Sequence, residues 1–243
     1  MLPLRGKLRI WGKAIDRIKG GVEIYFVKLF LVSILPGILW VIYFYRQDRN
    51  NPEPLKLIIR DFSWGFLLVF PAGILESPFA RWLTAGTPPL QLFLACIFAV
   101  GFIEEGLKSY AVYRLHYGHP DFDEAIDGII YGVTLGLGFA TFENLFYTIL
   151  YGYQVGLTRA FLTTLAHGAF TGIFGSYLSR GMKAGKKGII WTGFFLVAFL
   201  HGLYDFLVIS GYLNFFTSII IILLLQFYLA RLLQDSRRKL NYE

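Results

Sequence analysis

Long apolar runs separated by short polar breaks recur along the chain, at 22–45, 57–75, 90–113, 125–150, 159–178, 188–209 and 212–233. Each is near the roughly 20 residues that a helix needs to cross the hydrocarbon core of a bilayer. The pattern predicts an all-α polytopic membrane bundle of about seven transmembrane spans. The breaks are too short to fold as a separate soluble domain, so 21–233 reads as one transmembrane domain. A basic arm (1–20) precedes it and a basic tail (234–243) follows. Within the arm, Leu4, Leu8, Trp11, Ile15 and Ile18 recur at helical spacing, which suits an amphipathic helix lying in the membrane plane.

Several ionisable residues interrupt the apolar pattern, although a charge at the bilayer centre costs at least ~2.5–3.5 kcal/mol. The third span carries "GFIEEGLKSY" (101–110). At 100° per residue, Lys108 falls between Glu104 and Glu105 on one helix face. A lone Glu–Lys pair would suffice to join two helices; a doubled glutamate beside one lysine exceeds that need and points to chemistry. In the fourth span, Gly128, Gly132 and Gly136 repeat every four residues and form a seam that admits another backbone. Glu143 follows on the same face, with Asn144 beside it and Tyr147 one turn on; hydrogen bonding across that tight interface would also account for them. The fifth span carries His167 with Thr163, Thr164 and Thr171 nearby. The sixth carries His201 and Asp205, four residues apart, so that a carboxylate can orient an imidazole or share a metal with it.

Counting residues at 1.5 Å each along alternating helices puts Glu104, Glu143, His167 and His201 within about 10 Å of one another along the membrane normal. The predicted catalytic set is therefore Glu104, Glu105, Glu143, His167, His201 and Asp205. Asp127 lies about 160° round the helix from Glu143; with Asp121, Asp123 and Glu124 it is assigned to the helix N-terminus.

Composition supports the membrane reading, since only 16% of residues are charged against about 25% in soluble domains. The net charge of +7 does not point to nucleic acid, because the basic residues lie in loops and tails, where topology alone would place them. Loops after spans one and five, with the tail, hold eleven Arg and Lys; the loops after spans two, four and six hold Arg81 and Arg159. The first set is expected to face the cytoplasm, in conflict with the six basic residues of the arm. One cysteine, Cys96, excludes an internal disulfide and a CxxC site.

In this order the motifs resemble the PrsW family of intramembrane proteases, within a wider group that includes the CAAX prenyl endopeptidases and bacterial immunity-type membrane proteases. "DRNNPEP" (48–54), "EEGLK" (104–108), "FDEAIDGIIYGVTLGLGFATFENLFY" (122–147), "LAHGAFTGIFGSYL" (165–178) and "LHGLYDF" (200–206) carry the resemblance. It implies peptide-bond hydrolysis at the cell membrane on a single-span regulatory protein such as an anti-sigma factor. It falls on the same six residues. No Ser or Cys nucleophile is evident, so activated water is the expected nucleophile. Glu143, His167 and His201 are candidate ligands for a Zn2+ with an open position, and the same groups could act without metal. The rival reading is a proton- or ion-coupled transporter built on the same buried groups, although no inverted repeat with matching interrupted helices is evident.

Overall fold

The computed structural model describes residues 25, 27–48 and 51–240, which contain helices and no strand. The in-plane helix expected in the arm lies outside the described residues. Helix α1 spans Val27–Tyr45 and α2 Leu55–Glu76, extended by a 3-10 turn to Trp82. The third crossing is composite: α3 (Pro89–Ala95), a π-helical segment (Cys96–Gly101) and α4 (Phe102–His116). It is followed by α5 (Asp127–Tyr151), α6 (Tyr153–Lys183), α7 (Lys187–Ile209) and α8 (Phe215–Leu240). Six of these crossings are long and apolar enough to span a membrane. The seventh expected run is α6, whose 31 residues reach about 46 Å at 1.5 Å per residue but whose buried positions include Thr164, His167, Thr171 and Ser176. The tail expected at 234–243 begins inside α8, which carries the chain in helical form to Leu240.

The hydrophobic pattern places the start of α6 at residue 159, six residues late. Its first turns contain Gln154, Thr158 and Arg159, yet the only break from α5 is Gly152, at φ 89°. That conformation is open to glycine and strained for other residues, so one residue reverses the chain.

Helix α5 is the hub, with 78% of its most apolar window buried against 22–33% for α1, α2, α7 and α8. Glycine makes this possible on two faces. A Cβ on Gly128, Gly132 or Gly136 would strike the α6 backbone at Gly175, Thr171 or His167. On the opposite face, Gly138 lies against Phe62 of α2, and Gly65 of α2 lies against the Leu135 carbonyl. Helix α5 is thus held between α6 and α2 at backbone contact, the packing that small residues permit in a bilayer. Large side chains of the peripheral helices, among them Ile59, Leu67, Ile74, Leu223, Leu224 and Phe227, are exposed, as a lipid-facing surface requires.

Gly136→Val tests this seam. The added side chain meets the His167 carbonyl and the Thr171 hydroxyl, and overpacking of this kind costs about 1–3 kcal/mol. Thermal unfolding in detergent should show a lower midpoint, whereas Gly73→Ala, with nothing within 4 Å of its Cβ position and alanine the better helix former, should not lower it. Equal midpoints in the two variants would remove the seam from the account.

Candidate active site

The π-helical segment is the first element that builds the site. Helix α7 runs against it at backbone distance, with Gly101 facing Ala198 and Gly202, and Gly202 facing Cys96 and Ile97. Cys96 is wholly buried there as a free thiol. This contact draws His201 up to the glutamates that follow the π turn, and single-turn π segments occur often at functional sites. The seam on α5 does the same for His167, whose own carbonyl packs on Gly136.

Lys108 lies at the centre. Its ammonium donates to Glu104 Oε2 at 2.9 Å, to Glu105 Oε1 at 2.8 Å and to His167 Nδ1 at 2.9 Å. A lysine has three N–H groups, so all are committed. The Phe139 ring lies 4.0 Å from the same ammonium, close enough for a cation–π contact. Lys108 and Glu105 are fully buried and Glu104 is 4% exposed.

The partners assign both imidazole tautomers. His167 Nδ1 accepts from Lys108, so the ring proton is on Nε2, which faces Glu143 Oε2 at 3.0 Å. His201 Nδ1 lies 2.9 Å from Glu105 Oε1, and since a carboxylate can only accept, that nitrogen carries the proton. His201 Nε2, the other ring nitrogen, lies 3.9 Å from Glu104 Oε2 and 3.5 Å from Asp205 Oδ2. His167 Nδ1 is 3.7 Å from the same Glu104 oxygen. The two rings stand edge to face, their centroids 4.9 Å apart, with Phe139 stacked on one and Phe170 on the other.

Glu104, His167 and His201 each bring one donor atom within 4.8 Å of the other two. Two imidazoles and one carboxylate are a common catalytic Zn2+ set, and each imidazole has its second nitrogen fixed by a further carboxylate, the usual outer partner of a metal-ligating histidine. Glu104, Glu105, Glu143 and Asp205 surround two fixed cations, Lys108 and Arg159. With Glu76 also in electrostatic reach of Glu104 and Glu143, carboxylates outnumber the fixed cations and the centre is suited to a positive ion. The donors fit a metal in type, spacing and charge, although Lys108 holds two of the three and an entering ion would take them from it.

All six residues of the predicted catalytic set are in this cluster, but their partners differ from the simplest expectation. Glu143, a candidate ligand by sequence, is engaged with His167 and with Arg159 at 2.7 Å; Glu104 stands in the three-donor group instead. Asp205 lies on the Nε2 side of His201, whereas Glu105 orients the ring from behind. Asp127 is apart from the site, its carboxylate accepting the Glu124 N–H at 2.6 Å.

Sequence reasoning missed Arg159, counted there as a loop charge. It is within α6, with its guanidinium 3.8 Å above the Tyr147 ring and its Nε 3.2 Å from Asn144 Oδ1. Reading 143–159 as a tight hairpin about Gly152 would have paired it with Glu143. Glu76, at the end of α2, was also missed; it is within electrostatic reach of Glu104 and Glu143, and its Oε1 is buried without a partner. Nothing in its local sequence marks it.

A family model described as PrsW family intramembrane metalloprotease matches residues 53–231. A Geobacillus kaustophilus protein named Protease PrsW is 36% identical over 185 residues, 75% of this chain and 80% of its own length. The Bacillus subtilis protein of the same name is 36% identical over 178 residues, 72% of this chain and 80% of its own. That of Clostridioides difficile is 30% identical over 194 residues, 76% and 81% of the two chains. No solved structure matches the chain.

Proposed function

Because the chain belongs to the PrsW family of intramembrane metalloproteases, we propose that the Glu104–His167–His201 centre hydrolyses a peptide bond of a membrane-anchored protein with activated water. The observation that carries this reading is the convergence of one nitrogen from each imidazole on one Glu104 oxygen, at 3.7 and 3.9 Å. The transport reading finds no support beside a protease family.

The Glu104 carboxylate faces the point where a water would be held by both rings, and it takes the water's proton as the oxygen adds to the scissile carbonyl carbon. An ion of the Zn2+ type, if bound by Glu104 Oε2, His167 Nδ1 and His201 Nε2, would supply Lewis acidity to that water and to the carbonyl, and Glu104 Oε1 is left to take the proton. Glu105 and Glu143 hold the two rings by their outer N–H groups, so neither can rotate as charge develops. Lys108 keeps the two glutamates in place. Glu104, protonated as the water adds, then gives the proton to the amine nitrogen as the C–N bond breaks, which returns it to the carboxylate; Asp205, at 26% exposure the most open of these side chains, stands beside His201 Nε2. The substrate class is a single-span regulatory protein of the cell membrane, an anti-sigma-factor-like protein by the family resemblance.

The test uses the full chain in lipid nanodiscs with a labelled single-span substrate. Cleavage is expected within the substrate's span or at its edge, with about one Zn2+ per chain by elemental analysis, lost on chelation together with activity and regained on add-back. No cleavage of any single-span substrate, with transport of a co-ion instead, would overturn the reading.

A further inference from the structure

A second buried acidic cluster lies at the other end of α5. Asp127 begins that helix, 16 positions from Glu143, or about 24 Å at 1.5 Å per residue. Two described residues of the α1–α2 connection lie beside it. Asp48 and Glu53 of this connection and Asp127 each bring a carboxylate oxygen within 4.8 Å of the other two. They are 6%, 4% and 1% exposed.

The local hydrogen bonds account for only part of this group. The Asn51 N–H donates to Asp48 Oδ1 at 3.4 Å and the Glu124 N–H to Asp127 Oδ2 at 2.6 Å. The Tyr131 hydroxyl donates to Glu53. Asp48 Oδ2 and Asp127 Oδ1 remain buried with no partner. Among the described residues no Lys, Arg or His forms an ion pair with any of the three; Arg60 of α2 and His116 of α4 are both engaged with Asp61. Buried carboxylates without a counter-charge are costly, and two orphaned oxygens beside a third carboxylate are what a cation would use.

We propose that Asp48, Glu53 and Asp127 form a binding site for a hard divalent cation of the Mg2+/Ca2+ class, which ties the α1–α2 loop to the start of α5. The donors are all oxygen, the preference of these ions, with water completing the shell. No imidazole or thiolate is present to favour Zn2+, so the site is chemically distinct from the histidine centre. The cluster is on the same side as the α1–α2 loop and the α6–α7 loop, where Arg46 and Lys186 lie in the loops and Lys56, Lys183 and Lys187 at the adjoining helix ends. By the excess of basic residues that side is cytoplasmic, where Mg2+ is the abundant occupant. The rival is a shared proton: burial, with Asp127 and Asp48 alongside, pushes the Glu53 carboxyl up to about 9.

Mn2+ serves as a paramagnetic probe on the full-length His201→Ala chain, in which the histidine centre is disabled. About one Mn2+ per chain is expected, displaced by Mg2+ or Ca2+, and bound at least tenfold more weakly in the same chain carrying Asp48→Asn or Asp127→Asn. Mg2+ should also raise the unfolding midpoint of EDTA-treated wild-type protein and leave that of Asp48→Asn unmoved. Should Asp127→Asn fail to fold, Asp48→Asn on the loop and the wild-type midpoint still decide. Absence of bound Mn2+, Mn2+ affinity indifferent to Asp48→Asn, or a Glu53→Gln chain that is stabilised without any cation would overturn the proposal.

Discussion

Glu104→Gln is expected to lower peptide cleavage roughly 100- to 10,000-fold, the range that removal of a positioned proton acceptor produces, with the helical fold retained. The amide keeps the shape of the side chain and can still accept from Lys108, so packing is preserved while the basic oxygen is lost. Glu105→Gln should fall less, by about 10- to 100-fold. Glu105 faces the outer nitrogen of His201 and a lysine proton, and a carboxamide oxygen can serve both. Single-turnover cleavage in nanodiscs, with circular dichroism as the folding control, separates the two. Wild-type rates in Glu104→Gln would remove the proton acceptor from the mechanism.

Lys108→Met is expected to destabilise the protein by about 3–5 kcal/mol, the usual cost of breaking a buried ion pair by deleting one partner. Methionine replaces the volume and removes the only ammonium between Glu104 and Glu105. The same change frees Glu104 Oε2 and His167 Nδ1, two of the three donors of the histidine centre. Added Zn2+ should therefore recover more stability in Lys108→Met than in wild type. Denaturation in detergent with and without the metal reads both effects. A variant as stable as wild type would show that the glutamates do not depend on the lysine.

The helical class and most crossings were legible in the sequence because a bilayer demands long apolar segments and because a bundle must bury its few charges. Glu104, Glu105, His167 and His201 could be found for the same reason: each is a polar residue deep inside an apolar run. Arg159 was hidden because it lies near the polar end of its helix, where an arginine also has a topological explanation. Glu76 was hidden for a similar reason, and only the packed bundle brings it towards the site. The tautomers and the exchange of Glu143 for Glu104 in the donor group depend on side-chain distances of an ångström or so, which angular position on a helix does not resolve.

Counting at 100° per residue works within α4, because Glu104, Glu105 and Lys108 all follow the π turn. It fails across Cys96–Gly101, where the chain accommodates a wider turn before resuming α geometry. Because the wider turn takes up one extra residue, deleting one residue there would restore a regular helix with both glutamates close to their present direction, whereas deleting one from the regular turn at 89–95 would swing them by about 100° relative to the start of the crossing. The surface turn at 83–87 could lose or gain a residue with no such rotation. The third crossing therefore accommodates a lost residue at its wide turn and not in its regular turns, and its hydrophobicity gives no warning of which is which.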